Sequence, residues 1–213
     1  MIVRRLLALL AAAPLLASCT TAYYRALETI GIEKREILVD RIEDARDSQA
    51  DAKEQFSSAL DRYRSVVKVD GGDLEDIYDR LSAELERSEM RAKAVEDRVA
   101  AVESVADDLF DEWEGEVGQY SDPALRRQSQ QLLTTTRGDY RRLIAAMRRA
   151  DAAMDPVLTL FNDQVLYLRH NLNARAIGSL ETELADIERA TQNLIAEMER
   201  SIAEASRFID ALA

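Results

Sequence analysis

The chain has 213 residues, of which 47% are hydrophobic, 32% charged and 6% aromatic, with a formal net charge of −12. Seven glycines and three prolines suit long helices, not a many-turned sheet, and so few aromatics imply a narrow apolar seam instead of a large globular core. So acidic a body is repelled by nucleic acid and by anionic lipid headgroups, which argues against direct contact with either.

At the N-terminus, Arg4 and Arg5 form a short positive region, and residues 6–16 form an apolar run too short to span a bilayer. Leu16-Ala17-Ser18-Cys19 then has the order of a lipobox: a branched residue, two small ones, and a cysteine whose thiol takes the lipid. Cys19 is the sole cysteine, so no disulfide can form within the chain. The other reading is an ordinary signal peptide with an incidental cysteine after it. Residues 1–18 are expected to be a lipoprotein signal peptide, 19–31 a lipidated N-terminus and tether, and 32–213 a single helical-bundle domain. Loss of Arg4 and Arg5 takes the charge from −12 to −14. Acyl chains on Cys19 would hold the protein by roughly 0.8 kcal/mol per buried methylene, so the lipid does the tethering. Thr20 stands where an aspartate would retain the protein at the inner membrane under the sorting rule of enteric bacteria. By resemblance to that rule, the expected location is the periplasmic face of the outer membrane.

Four segments follow, over about 24–69, 73–120, 123–171 and 174–212. In the first, Leu38, Ile42, Ala45, Gln49, Ala52, Phe56, Ala59, Tyr63 and Val66 alternate spacings of four and three, and eight of the nine are apolar, a pattern no strand produces. Gly31 is a candidate break that leaves residues 20–31 as a hinge. Asp70-Gly71-Gly72-Asp73 stops the helix, glycine suiting the position after its end and Asp73 the next N-cap. The second segment keeps the rhythm through Leu74, Tyr78, Leu81, Leu85, Ser88, Ala92, Val95, Val99, Val102, Ala106, Leu109 and Trp113, fraying near Gly115 and Gly118. Ser121-Asp122-Pro123 marks a new start.

The third segment is less regular, through Leu125, Leu132, Tyr140, Leu143, Met147, Ala150, Met154, Val157, Phe161, Leu168 and Leu172. Pro156 removes a backbone donor and predicts a bend there. The fourth reads Ile177, Leu180, Leu184, Ile187, Thr191, Leu194, Met198, Ser201, Ala205, Phe208 and Leu212. Rods of nearly equal length joined by short turns lie antiparallel. The fold class is therefore all-α: an elongated antiparallel bundle of about four long helices with coiled-coil-like packing, each rod roughly 70 Å long at 1.5 Å per residue.

Charge supports that order. Residues 94–120 hold nine acids against Arg98, and residues 123–150 hold seven arginines against Asp139. A hairpin at 121–123 sets these stretches side by side and disfavours other pairings. The arginines could instead bind phosphates or lipopolysaccharide, but the neighbouring acids account for them.

No phosphate-binding loop, nucleophile elbow, C-x-x-C, H-E-x-x-H or E-x-x-H occurs, and there is one histidine, His170. Neither enzymatic activity nor a cofactor or metal is expected. One cluster resists a purely structural reading: Asn162, Asp163, Gln164, Tyr167, Arg169, His170, Asn171 and Asn173 crowd polar groups beside Phe161, Val165, Leu166 and Leu168. It reads either as a partner or small-ligand patch, or as a helix C-cap with a buried polar network that fixes register.

Three stretches, EKREILVDRIEDARDSQADAKEQF (33–56), VESVADDLFDEWEGEVGQY (102–120) and DPVLTLFNDQVLYLRHNLNARAIGSLETE (155–183), resemble the uncharacterised lipoproteins of Gram-negative bacteria grouped as domain of unknown function 2959. With the spacing between them they cover nearly the whole chain after Cys19. The resemblance implies a helical lipoprotein and carries no catalytic residue, cofactor or mechanism. The function expected is a membrane-anchored structural or protein-interaction module of the cell envelope, tethered through lipid on Cys19 to meet an envelope protein. The alternatives are a bundle binding an envelope lipid, glycan or small molecule, and a self-associating membrane-shaping protein.

Overall fold

The computed structural model describes residues 34–67, 74–171 and 174–212. The signal peptide, Cys19, Gly31, the Gly71-Gly72 turn, Leu172 and Asn173 lie outside them. Five helices appear: α1 (Lys34–Val67), α2 (Leu74–Val117), α3 (Pro123–Ala152), α4 (Met154–His170) and α5 (Ala174–Leu212). The described residues contain no strand. α3 and α4 make one rod, so the architecture is four rods at the corners of a square. α1 packs on α2 and α5, while α3 and α4 pack on those same two helices from the opposite corner.

Burial follows the heptad. All nine positions expected on the first rod are buried, Leu38, Ile42, Ala45, Gln49, Ala52 and Phe56 completely. On α5, Leu180, Ile187, Thr191, Leu194, Met198, Ser201, Ala205 and Phe208 are buried in the same rhythm. α2 keeps Leu81, Leu85, Ser88, Val95, Val99, Val102 and Ala106 inside, but Leu74, Tyr78, Ala92, Leu109 and Trp113 are only part-buried, and Ile77, Val105, Phe110 and Val117 are buried as well. A rod touching two neighbours needs a stripe wider than one seam, and a straight helix drifts about 20° per heptad against a 3.5-residue repeat.

The third rod corrects the sequence reading. Leu125 and Leu132 were expected inside, yet they are 49% and 56% exposed. The inward stripe is Leu133, Thr136, Tyr140, Leu143, Met147, Ala150, Met154, Val157, Phe161, Gln164 and Leu168, all buried and spaced three and four apart throughout. Thr136 and Gln164 occupy this seam, so a search for apolar residues alone skips to the wrong face. One residue of register turns a helix by about 100°, enough to move Leu132 out and Leu133 in.

Pro156 marks its effect one turn upstream. The helix is interrupted at Ala153, three residues before Pro156, where φ −76° and ψ −11° loosen the turn. Proline has no N–H for the Ala152 carbonyl and its ring crowds that same group, so the irregularity sits one turn upstream. The Ala153 N–H still donates to Arg149 at 3.1 Å. The inward rhythm passes through without a slip. At the start of α3, the Asp122 carboxylate accepts from the Ala124 N–H at 2.7 Å and Pro123 takes the first turn, as expected for Ser-Asp-Pro.

Ion pairs lace all four edges of the square: Arg98–Asp44 at 3.2 Å between α2 and α1, Arg64–Glu188 at 2.6 Å between α1 and α5, Arg137–Glu114 at 3.0 Å between α3 and α2, and Arg149–Glu197 at 3.6 Å between α3 and α5. With Arg148–Glu103, two arginines of α3 meet acids of α2, while Arg142 pairs with Asp139 on its own helix and Arg149 turns to α5. Exposed pairs contribute about 0.2–1 kcal/mol each, so they select the arrangement more than they hold it.

Two substitutions test the register of α3. Leu133→Ala should cost about 2–5 kcal/mol in chemical denaturation, whereas Leu125→Ala should stay within about 0.5 kcal/mol of the parent. Gln49 is wholly buried with neither amide atom hydrogen-bonded to protein. Gln49→Leu should therefore raise the unfolding free energy by about 1–3 kcal/mol, the usual penalty of an unsatisfied buried polar group.

Candidate functional site

The polar cluster divides between two faces of α4. Asn162, Asp163, Tyr167, Arg169 and His170 are exposed, and Leu166 lies bare among them at 46% exposure. Phe161, Gln164 and Leu168 turn inward. Gln164 is thus not part of the outer patch, because it takes the seam position between Phe161 and Leu168. Asn171 ends the helix: its N–H donates to the Leu168 carbonyl at 3.1 Å and its side-chain amide to the Tyr167 carbonyl at 3.0 Å. Asn171 thus fits the capping reading, and the exposed residues are a different set from it. Arg169 and His170 sit in the last turn, where positive groups complement the helix dipole.

Beneath the patch lies a buried polar layer that sequence reasoning missed. Gln164 shares a void of about 10 Å³ with Tyr63, Leu81, Glu84 and Phe161. That is room for one water molecule, not for a ligand. The Tyr63 and Phe161 rings stack at 6.3 Å across the diagonal of the square, and the Tyr63 hydroxyl donates to the Leu180 carbonyl at 3.1 Å. Burial, with the charge of Glu183 second, pushes the Tyr63 phenol well above its ordinary range. It remains a neutral donor that ties α1 to the first turns of α5.

Glu84 is buried on α2. Its carboxylate accepts from Gln55 at 2.9 Å and pairs with Arg87 at 2.7 Å and Arg62 at 3.6 Å. Burial by itself would raise its pKa, but the bonds from Arg87 and Gln55 and the charges of Arg87 and Arg62 together hold it below the usual glutamate value. The signal was present in the sequence. Glu84 falls three after Leu81 and four before Ser88, whose hydroxyl donates to the Glu84 carbonyl at 2.8 Å.

Asp151, beside the Ala153 break, is the opposite case. Burial, then the charges of Glu96, Asp155 and Glu103, raise its pKa. Among the described residues no three histidine, cysteine, aspartate or glutamate side chains gather as a metal site. Nor is any described helix long and apolar enough to cross a membrane.

The two carboxylates give opposite pH signatures. A depressed folded pKa makes Glu84 stabilising above the ordinary glutamate pKa, so Glu84→Gln should destabilise the bundle at neutral pH, by a margin that shrinks as acid protonates the parent. A raised folded pKa makes ionised Asp151 a burden that appears as pH rises past the ordinary aspartate value. Asp151→Asn should therefore stabilise at neutral pH and be without effect at low pH. Thermal melts of both variants across the acid range check the signs.

No curated protein matches this sequence significantly. A family model described as a protein of unknown function (DUF2959) matches residues 23–212, nearly everything after the lipobox-like segment. The chain belongs to that family.

Proposed function

We propose that this protein is a lipid-anchored envelope lipoprotein at the periplasmic face of the outer membrane, serving as a non-enzymatic rod that meets an envelope protein. The observation that carries the anchor is the sole cysteine standing behind Leu16-Ala17-Ser18 and an apolar run too short to span. The matched family unit begins at residue 23, four residues after Cys19, leaving little chain between anchor and domain.

Where the rods end supports the partner reading. The starts of α1 and α3 and the ends of α2 and α5 share the pole nearest Cys19 in sequence, whereas α4 ends at the other. At 1.5 Å per residue, the 44 residues of α2 set the exposed Leu166–Tyr167 patch roughly 60 Å away. An exposed leucine and tyrosine ringed by Asn162, Asp163, Arg169 and His170 have the mix of apolar contact and polar rim that protein interfaces use. The single-water void beneath favours contact at the surface over an engulfed ligand.

Replacing Cys19 by serine should abolish incorporation of labelled fatty acid, leaving either a soluble periplasmic body or an uncleaved precursor. Undiminished labelling would refute the anchor. A photo-crosslinking residue at Tyr167 should capture a distinct envelope protein in cells while the same residue at exposed Met90 does not. Capture of the chain itself would instead favour self-association.

A further inference from the structure

At the opposite pole from the patch, the bundle leaves a groove open. Leu109 and Trp113 of α2, Leu132 of α3 and Leu212 of α5 wall it, and its volume is about 420 Å³. That lies within the range of about 300–1,000 Å³ typical of small-molecule sites. The walls are set before anything enters: Trp113 is held across the α2–α3 hairpin by its indole N–H, which donates to the Ser129 hydroxyl at 3.0 Å. Leu132 nevertheless stays 56% exposed, so apolar surface remains there for a ligand to take out of water.

The rim carries both signs. Arg35 of α1 and Glu116 of α2 line the groove, both are exposed, and among the described residues neither has an ion pair. Glu112, also on the rim, is already matched by Lys34 at 2.8 Å. What is left over is one guanidinium and one carboxylate beside an apolar wall.

We infer that the groove binds a zwitterionic amphiphile, one whose head carries a phosphate diester and an ammonium group and whose single apolar chain lies along Trp113 and Leu132. A guanidinium holds phosphate oxygens through two parallel hydrogen bonds, which assigns the phosphate to Arg35 and the ammonium to Glu116. An anionic head would satisfy Arg35 but lie against Glu116, with Asp108 and Asp111 on the same end of α2. A cationic head would meet Arg35 and Lys34, and a neutral head would leave both charges of the rim unmatched. The shape excludes a partner helix, which is about 10–12 Å across with its side chains, too wide for this volume along a wall of roughly 10 Å from Leu109 to Glu116. A second copy would bring two acidic ends of α2 together. The groove is separate from the α4 patch and its filling requires no acyl group on Cys19, so either reading can fail alone.

The test uses the whole chain with Cys19→Ser, so that no attached acyl chain competes. The probes share a decyl chain and differ in the head: decylphosphocholine, decyl sulfate, decyltrimethylammonium and decyl maltoside, each kept below its micelle concentration. Trp113, the only tryptophan, reports from the wall. Decylphosphocholine should shift its emission to the blue saturably and bind about tenfold tighter than decyl maltoside, the gain from two exposed charge pairs. Leu132→Asp should abolish the shift, whereas Met90→Asp, at an equally exposed position on α2, should leave it unchanged. Arg35→Glu should turn the preference to decyltrimethylammonium, and Glu116→Lys to decyl sulfate, with helicity by circular dichroism equal to the parent's in every variant. Absence of a shift with decylphosphocholine, equal affinity for all the heads, preferences indifferent to Arg35 and Glu116, or binding that survives Leu132→Asp would overturn the proposal.

Discussion

Everything in this bundle depends on one constraint: an apolar stripe recurring every three and a half residues has to be covered along its whole length. A rod of 40 residues has no turns in which to bury anything, so its only shelter is another rod. Each corner of the square shields two neighbours, and the seam is continuous from Leu38 to Val66 on α1 and from Leu133 to Leu168 on the α3–α4 rod. Packing holds the structure; capping and ion pairs decide which rod lies beside which.

Polar groups within the seam limit the ways the rods can slide. Gln49, Ser88, Thr136, Gln164, Thr191 and Ser201 are all buried on inward positions, and Glu84 lies beside them with its arginines. A slip of one heptad would place these groups against leucine and methionine and separate Glu84 from Arg62 and Gln55 on α1. In a purely apolar seam such a slip would be nearly isoenergetic. The cost in stability at Gln49 is thus matched by a gain in uniqueness, as with a single buried asparagine in a coiled coil.

Most of the architecture was legible in the residues. The heptad of α1 matched burial position by position and that of α5 from Ile187 to Phe208, and Ser121-Asp122-Pro123 placed the α3 start correctly because proline and an aspartate cap act locally. What was lost was lost to polar residues. Thr136 and Gln164 concealed a perfectly regular seam on the third rod, and the eye moved to Leu125 and Leu132, which share a different face. Glu84 was passed over because it is charged, although its place between Leu81 and Ser88 put it on the inward stripe. The α4 cluster was visible as a cluster, but its division into an outer patch, an inward Gln164 and a capping Asn171 depends on helical phase. The groove near Trp113 could not be read at all, since it is made by the ends of four rods that only the folded chain assembles.

The interruption at Ala153 has a mechanical meaning. Each rod is a ladder of backbone hydrogen bonds, and this one lacks a rung where Pro156 cannot donate. Local opening in a protein proceeds through contiguous units bounded by such weak points. α4 can therefore peel from α2 and α5 without melting α3, because the crack stops at the missing rung. A pull applied to the end of the rod bearing Tyr167 is relieved within seventeen residues, and α3 is left unstrained.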